Sequence, residues 1–420
     1  MAKERIVTGI DIGSSKVCTI IAQVSDERIS VIGVSSVLSR GVKKGVIVDI
    51  DGAVGAIAAS LEAAERMAGY AVSQAFVLVN GSHITSLNSK GVVAVAHQEG
   101  EITAEDVLRA TEAAQAVSIP GNQEVIHVLP RGFIVDNQDG VRNPVGMSGV
   151  RLEVETNIIY GSATSMKNLV KCVQQVGVDV DELVFAGVAA SQSTFSDTEK
   201  ELGTILADIG GGTTQLIIFS NGSPVYCSVL PIGGQNITND LAIGLRTSLE
   251  TAEKIKLKLS GVSNMPLPFE TTKDGTEFII PELSLDSGSL PNQSASISRK
   301  LLDDIIKARL TEIFSLVSVE IKKSGMVGKL PGGIVLSGGA SDTRGTVEVA
   351  RNVFKMPVRI GYPTGVTGLI DEVNGPAFAS SVGLVLFGAK NSVATSRQAL
   401  RGRAGSVFSK AIGFIKSFLP

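Results

Sequence analysis

The strongest constraint on this 420-residue chain is an internal duplication. Residues 6–16 read Ile-Val-Thr-Gly-Ile-Asp-Ile-Gly-Ser-Ser-Lys and residues 204–214 read Thr-Ile-Leu-Ala-Asp-Ile-Gly-Gly-Gly-Thr-Thr, so Asp11 and Asp208 stand 197 positions apart in the same setting. Each copy is an apolar strand that closes on Asp-Ile-Gly and runs into a second β-rich stretch, 17–24 or 215–220. Each then turns, through Ser25-Asp26-Glu27 or Asn221-Gly222-Ser223, into a third strand, 29–34 or 225–230. Asn-Gly is a strong hairpin signal. Helical periodicity follows in both copies: Val54, Ile57, Ala58, Leu61 and Ala64 mark a stripe over 51–68, and Ile237, Leu241, Leu245, Leu249, Ala252 and Ile255 mark one over 234–259. Two β-β-β-α units predict two pseudo-symmetric α/β halves, with a ligand cleft between them facing both Asp-Ile-Gly turns.

The turns have the chemistry of phosphate cradles. Gly13, Ser14 and Ser15 in one copy, and Gly210, Gly211, Gly212, Thr213 and Thr214 in the other, can aim backbone N–H groups at phosphate oxygens because no bulky side chain intervenes. A carboxylate repels phosphate, so Asp11 and Asp208 are expected to hold Mg2+ through the water this ion retains, one from each half gripping a single metal–phosphate group. Lys16 adds a point charge beside the phosphates. A single such turn reads equally well as an ordinary strand-end glycine; two in matched context point to a shared site. A third glycine-rich strand end, 332–341, closes on Ser337-Gly338-Gly339-Ala340, where a flat base can lie against bare backbone. Glu253 and Lys256, three apart on one helix face, read either as contacts to adenine and ribose or as a surface ion pair.

Hydrophobic residues at 44% and charged residues at 19% supply several cores and exclude a disordered chain. A net charge of −3 excludes a nucleic-acid polycation. Six basic and no acidic residues follow Glu372, leaving −9 on residues 1–372, so the end of the chain is a basic tail suited to an acidic partner. Cys18, Cys172 and Cys227, odd in number and far apart, read as buried thiols. No signal peptide and no membrane-spanning run is expected. Residues 82–162 are not duplicated; a helix over 103–116 with a capping-box start and strands over 125–129, 133–135 and 152–159 predict a small α+β insertion. A helix over 165–176, exposed loops over 265–298 and a long helix over 298–323 are expected after it.

Residues 389–405 are polar and basic, as a flexible linker is. The last stretch is amphipathic: at ~100° per residue, Phe408, Ile412, Phe414, Ile415, Phe418 and Leu419 share an arc of about 160°, flanked by Lys410 and Lys416. At roughly 20 Å it is too short to span a bilayer and suits an in-plane anchor on an anionic membrane. Terminal amphipathic helices usually dock on their own domain; the basic linker argues against that here.

These pieces, in this order, resemble the actin/Hsp70/sugar-kinase ATPase superfamily. Asp11–Lys16 and Asp208–Thr214 are similar to its two phosphate loops, Gly332–Ser341 to its adenosine motif, 183–194 and 376–388 to its connecting helices, and the Glu253/Lys256 pair to the adenosine-contacting pair of Hsp70. Within it the chain is similar to the FtsA family of bacterial cell division proteins, on Ser-Arg-Gly-Val-Lys-Lys-Gly at 39–45, Arg-Asn-Pro-Val-Gly-Met-Ser-Gly-Val-Arg at 142–151, Phe-Ala-Gly at 185–187 and Arg-Ile-Gly at 359–361. The resemblance implies an α/β, actin-like fold of two ribonuclease H-like lobes. The first is 1–81 with 163–198 and part of 360–388; the second is 199–359. An inserted domain (82–162), a linker (389–405) and a membrane-targeting helix (406–420) complete the chain. It further implies bound ATP and Mg2+, self-assembly into filaments, attachment to the cytoplasmic face of the membrane at the division site, and recruitment of later division proteins. It implies capture of the C-terminal peptide of FtsZ, with Arg309 and Glu312 as the contact pair; those charges read equally as a solvated helix face. One departure bears on chemistry. Where hydrolysing relatives carry Gln or Glu to position water, the chain has Ala186, so ATP turnover is expected to be slow. A PilM-type pilus scaffold, which lacks reason for the amphipathic tail, and a kinase of the same superfamily are the alternatives.

Overall fold

The computed structural model describes residues 4–25, 28–96, 100–261, 270–271, 277–280 and 295–398. β-Branched runs broken by polar turns form an antiparallel meander of β1 (Arg5–Ile12), β2 (Lys16–Ser25) and β3 (Arg28–Leu38). A short hairpin, β4 (Val42–Lys43) and β5 (Val46–Ile47), leads to α1 (Ile50–Ala68) and then β6 (Gln74–Val79), which pairs parallel with β1. Gly69 ends α1 in the left-handed conformation, its N–H closing on Glu65 O.

The insertion follows as β7 (Thr85–Ala94), α2 (Ala104–Gln115), β8 (Gln123–Val135), β9 (Gln138–Val141) and β10 (Arg151–Ser162). Thr103 and Asp106 form the expected capping box on α2. The two strands expected over 125–135 are one strand, β8; its pairing with β10 shifts register where Pro130, which has no N–H to give, stands opposite Thr156. α3 (Ala163–Gln175) and β11 (Asp179–Phe185) return to the first sheet, and α4 (Ala186–Thr194) and α5 (Asp197–Leu202) cross to the second lobe. The first connecting helix therefore starts at Ala186, because Leu183–Phe185 are the end of β11.

The second lobe repeats the first. It has β12 (Thr204–Ile209), β13 (Thr214–Ser220) and β14 (Ser223–Leu230), then α6 (Gly234–Leu245) and α7 (Leu249–Leu259). The single helix expected over 234–259 is two. Arg246 turns left-handed at φ 51°, and the Ser248 hydroxyl caps α7 by accepting from Thr251 N. Where exposed loops are expected, the described residues form a small antiparallel sheet of β15 (Glu270–Thr271), β16 (Glu277–Ile280) and β17 (Ala295–Ser298). β17 feeds α8 (Arg299–Lys323) directly; β18 (Ile334–Ser337), α9 (Thr346–Phe354), β19 (Val358–Ile360), β20 (Thr367–Gly368) and α10 (Ala379–Gln398) follow.

The first sheet runs β11-β6-β1-β2-β3-β20 and the second begins β19-β18-β12-β13-β14, the same order. The second sheet then continues through β7, β10, β8 and β9 of the insertion. The duplication holds at the level of single bonds. Asp11 faces Cys18 and Asp208 faces Gln215; Gly13 N–H donates to Lys16 O (3.0 Å) as Gly210 N–H donates to Thr213 O (2.9 Å). All four pairs differ by the same 197 positions.

α4 and α10 pack against each other between the lobes. Gly383 lies so close to the Ala189 carbonyl that a Cβ there would overlap it, and Ser193 Oγ donates to Ala379 O at 2.7 Å. The Arg359 guanidinium donates to Thr194 O (2.7 Å) and to both Glu199 oxygens, closing the last turn of α4. α10 corrects the expected linker, for Ala389–Gln398 are helical. No Gly or Pro interrupts them, Ala389 is buried with its carbonyl taking the Arg5 guanidinium (2.5 Å), and Lys390 Nζ donates to Gln192 Oε1 (2.8 Å). The amphipathic stretch 406–420, with Phe408, Ile412, Phe414, Ile415, Phe418 and Leu419, lies outside the described residues.

His127 on β8 is fully enclosed and its Nε2 accepts from Phe185 N at 3.0 Å, the residue before α4. Burial pushes its pKa down to about 3. Between that value and the unfolded value near 6.5 the unfolded chain holds a proton the folded one does not, so acidification from pH 6.5 favours unfolding. From pH 6.5 to 5 this amounts to about 1.5 kcal/mol. Thermal melts across that range should show a shallower acid loss for His127→Gln than for the wild type; parallel curves would exclude the imidazole as the source.

Candidate functional site

The two Asp-Ile-Gly turns lie against each other where the lobes meet. A Cβ on Gly211 would overlap Ser15 Oγ, and one on Gly212 would stand 2.8 Å from Ser14 Oγ and 3.1 Å from Lys44 N. Side chains also bridge the turns. Gln235 Nε2, in the first turn of α6, donates to Ser14 O (3.3 Å), and Asn80 Nδ2, at the end of β6, donates to Thr213 Oγ1 (3.1 Å). The β4–β5 hairpin, which takes in the end of the 39–45 segment, leans on the first turn, Gly45 N–H donating to Ser14 Oγ at 2.9 Å. Thr214 faces away: its hydroxyl donates to Ile232 O and is fully buried.

Asp11 and Asp208 are held by consecutive residues of one helix. Ser381 Oγ donates to Asp11 Oδ2 at 2.7 Å and Ser380 Oγ donates to Asp208 Oδ2 at 2.6 Å, both from the start of α10. Burial raises the Asp11 carboxyl above its ordinary value, against the Ser381 hydrogen bond and the charge of Lys16. Burial pushes Asp208 up to about 6; the Ser380 hydrogen bond opposes this and the nearby Asp11 charge adds to it. The Lys16 ammonium lies 3.3 Å from the centre of the Phe378 ring. Burial lowers its pKa, against the charges of Asp11 and Asp208.

The third glycine loop closes the site. Gly338, at φ 81°, has no room for a Cβ beside Asp208 Oδ1 and Ile209 O, and its N–H donates to Pro376 O at 3.0 Å. Gly339 opens a short 3-10 turn with Ala340, and Ala340 Cβ sits 2.9 Å from where a Gly234 Cβ would be. Lys256 is buried, and its ammonium donates to Gly234 O (3.3 Å), Thr238 Oγ1 (2.9 Å) and Glu253 Oε2 (2.7 Å); the Thr238 hydroxyl also donates to Glu253. Glu253 is about half exposed and Lys256 is not, so the pair is anchored inward, beside the Gly234–Ala340 contact, and differs from a surface ion pair.

The two turns, the Gly338–Ala340 loop and the Glu253/Lys256 pair thus form one chain of contacts, through Gly211 and Ser15, Gly338 and Asp208, and Gly234 with Ala340 and Lys256, while Thr214 is turned away from it. Arg309 and Glu312 belong elsewhere. Arg309 forms a two-pronged ion pair with Asp240 of α6 (2.5 and 2.7 Å) and bonds Glu312 at 2.5 Å, tying α8 to α6. Asn80, Gln235, Phe378, Ser380 and Ser381 are not identified as site residues by sequence; the last three lie within the 376–388 segment read as a connecting helix, and Asn80 and Gln235 lie outside the motifs. Gln215, opposite Asp208, buries its Oε1 without a hydrogen-bond partner among the described residues. Among the described residues no group of three or more His, Cys, Asp or Glu could hold a metal, and no helix is long and apolar enough to cross a membrane.

Two lobes of one topology, joined by paired helices around glycine turns, define an actin-like ATPase fold. Solved structures agree at the level of fold. The chain covers 98% of a chain in the PilM-PilN type IV pilus biogenesis complex at TM-score 0.64 and 14% identity, with 91% of its own length aligned. It covers 98% of MreB 5 of Spiroplasma citri bound to AMPPNP at TM-score 0.54 and 14% identity, with 94% of its own length aligned. The model of the SHS2 domain inserted in FtsA matches residues 81–160, and that of cell division protein FtsA matches 205–383. Cell division protein FtsA of Pseudomonas aeruginosa is 40% identical over 386 residues, 91% of this chain and 89% of that protein. The chain belongs to the FtsA family of cell division proteins.

Gly338→Ala should lower stability by about 2–3 kcal/mol, since it adds overlap to a left-handed backbone. Gly69→Ala, also left-handed but with nothing within 4 Å of a Cβ, should cost about 1 kcal/mol in the same urea titration. Equal costs would show that crowding at Asp208 is absent.

Proposed function

We propose that this protein binds ATP with Mg2+ between its lobes and works as a membrane-attached, self-assembling adaptor of the division machinery. The observation that supports the reading is the pair of matching turns from opposite lobes, in contact with each other, with Asp11 and Asp208 bonded to adjacent serines of one helix. The residues present fit the ion: two carboxylates, too few to enclose it, suit Mg2+ that keeps most of its water, and the unpartnered Gln215 Oε1 is an acceptor beside one of them. Bound Mg2+ would neutralise triphosphate charge. Gly13, Ser14, Ser15 and Gly210–Thr213 would supply donors and close approach, Lys16 a positive charge, and Gly338, Gly339 and Ala340 a bare surface for the base, with Glu253 and Lys256 beside it.

Ala186 opens α4 and has no group to orient water, while Gln192 is engaged by Lys390 two turns on. Turnover is accordingly slow, and ATP acts as a structural and switching ligand. The basic, amphipathic residues 406–420 attach the protein to anionic lipid; one such helix binds weakly, so attachment strengthens as subunits assemble into a filament. The α8–α6 face with Arg309 and Glu312 takes the C-terminal peptide of FtsZ, with Asp240 holding Arg309 in place in its absence. The insertion receives later division proteins.

Vesicles of anionic phospholipid should co-sediment the full chain with Mg2+ and ATP, and removal of residues 405–420 should abolish this while fluorescent ATP binding stays intact. Retained sedimentation by the shortened chain would exclude the tail as the anchor. A full chain that binds no nucleotide would overturn the central reading.

A further inference from the structure

We propose that Ser380 and Ser381 are positioning residues for the metal–triphosphate site, adjacent hydroxyls on one rigid turn that set two aspartates from opposite lobes at a fixed spacing for a single ion. The assignment rests on the Mg2+ and ATP reading above.

Each serine engages one carboxylate oxygen and leaves the other toward the glycine turns. Ser380 takes Asp208 Oδ2, while Oδ1 faces the bare Cα of Gly338; Ser381 takes Asp11 Oδ2, while Oδ1 lies 3.9 Å from where a Cβ on Gly13 would be. The oxygens on the crevice side are thereby presented to whatever the glycine turns surround. Consecutive residues of a helix point about 100° apart, which lets neighbours serve opposite lobes. The distance between the two carboxylates is then set by one helical turn. Without these bonds it would depend on how the two lobes happen to pack. Both hydroxyls are buried, at 8% and 2% exposure, so they are not solvating groups at a surface.

The turn that carries them is itself held on every side. Ala379 O accepts from Ser193 of α4, Pro376 O accepts from Gly338 N, and the Phe378 ring receives Lys16. Residues 376–381 thus touch the base-side loop, the phosphate-side lysine and both aspartates. Outer hydrogen bonds that orient the groups around a metal commonly govern its affinity more than ten-fold.

The test uses the full chain and a fluorescent ATP analogue, with MgCl2 titrated in one series and EDTA in another, alongside thermal melts. Ser380→Ala and Ser381→Ala should each raise the half-saturating Mg2+ concentration about tenfold. Binding in EDTA should change far less. Ser380→Thr and Ser381→Thr keep the hydroxyl and should stay within about twofold of the wild type. Alanine variants with the wild-type Mg2+ requirement would overturn the assignment. So would losses that run in parallel in Mg2+, in EDTA and in melting temperature, which mark a purely structural role. A wild-type chain with no Mg2+-dependent binding removes the ATP reading and this assignment together; wild-type binding with indifferent alanine variants removes the assignment alone.

Discussion

Two carboxylates drawn together from opposite lobes, Asp208 buried and Asp11 half-buried, set the demands on this molecule, since an ion taken from water carries a penalty of several kcal/mol even after relaxation. The surrounding structure is arranged to meet that cost. Hydroxyls of Ser380 and Ser381 donate to the carboxylates, and Lys16 stands close enough to be felt by both. The glycine turns then have to approach closely, and Gly211, Gly212 and Gly338 do so where a methyl group would collide with Ser15, Ser14 or Asp208.

The lobes are joined by devices of a different kind. α4 and α10 pack through Gly383 over the Ala189 backbone, and Arg359 secures the far end of α4. The insertion is covalently fed from the first lobe but extends the second lobe's sheet, with Thr85 of β7 opposite Ser228 of β14. Polar side chains fasten that seam. Ser86 Oγ bonds Cys227 N (2.8 Å) and O (3.2 Å), and Asn88 and Asn157 both donate to Val225 O. Enclosed His127 ties β8 to Phe185 at the start of α4, so the insertion reaches the helix that links the lobes. One element thereby contacts both halves.

Much of the fold was legible in the chain. The repeat of Asp-Ile-Gly predicted two lobes, and the structure repeats it bond for bond. Capping at Thr103 and the stripe over 51–68 placed α2 and α1 within a residue or two. The misreadings share a cause. Helix α10 was cut short because polar residues after Ala389 look like linker, yet Arg5 and Lys390 hold its first turn beyond that point by contacts remote in sequence. The single helix over 234–259 was split by Arg246 in a left-handed conformation, which side-chain identity does not announce.

The local pattern of the sequence by itself determined the duplicated strand–turn units, the candidate phosphate turns and the amphipathic character of the last residues, because strand period, glycine freedom and helical spacing are properties of neighbours along the chain. It could not show that Ser380 and Ser381 would meet Asp208 and Asp11, that Phe378 would take Lys16, or that Arg309 would be tied to Asp240. Those pairings join residues 69 to 370 positions apart. Only the packing of the two lobes brings them within reach, since a hydrogen bond or ion pair is decided by distance in space.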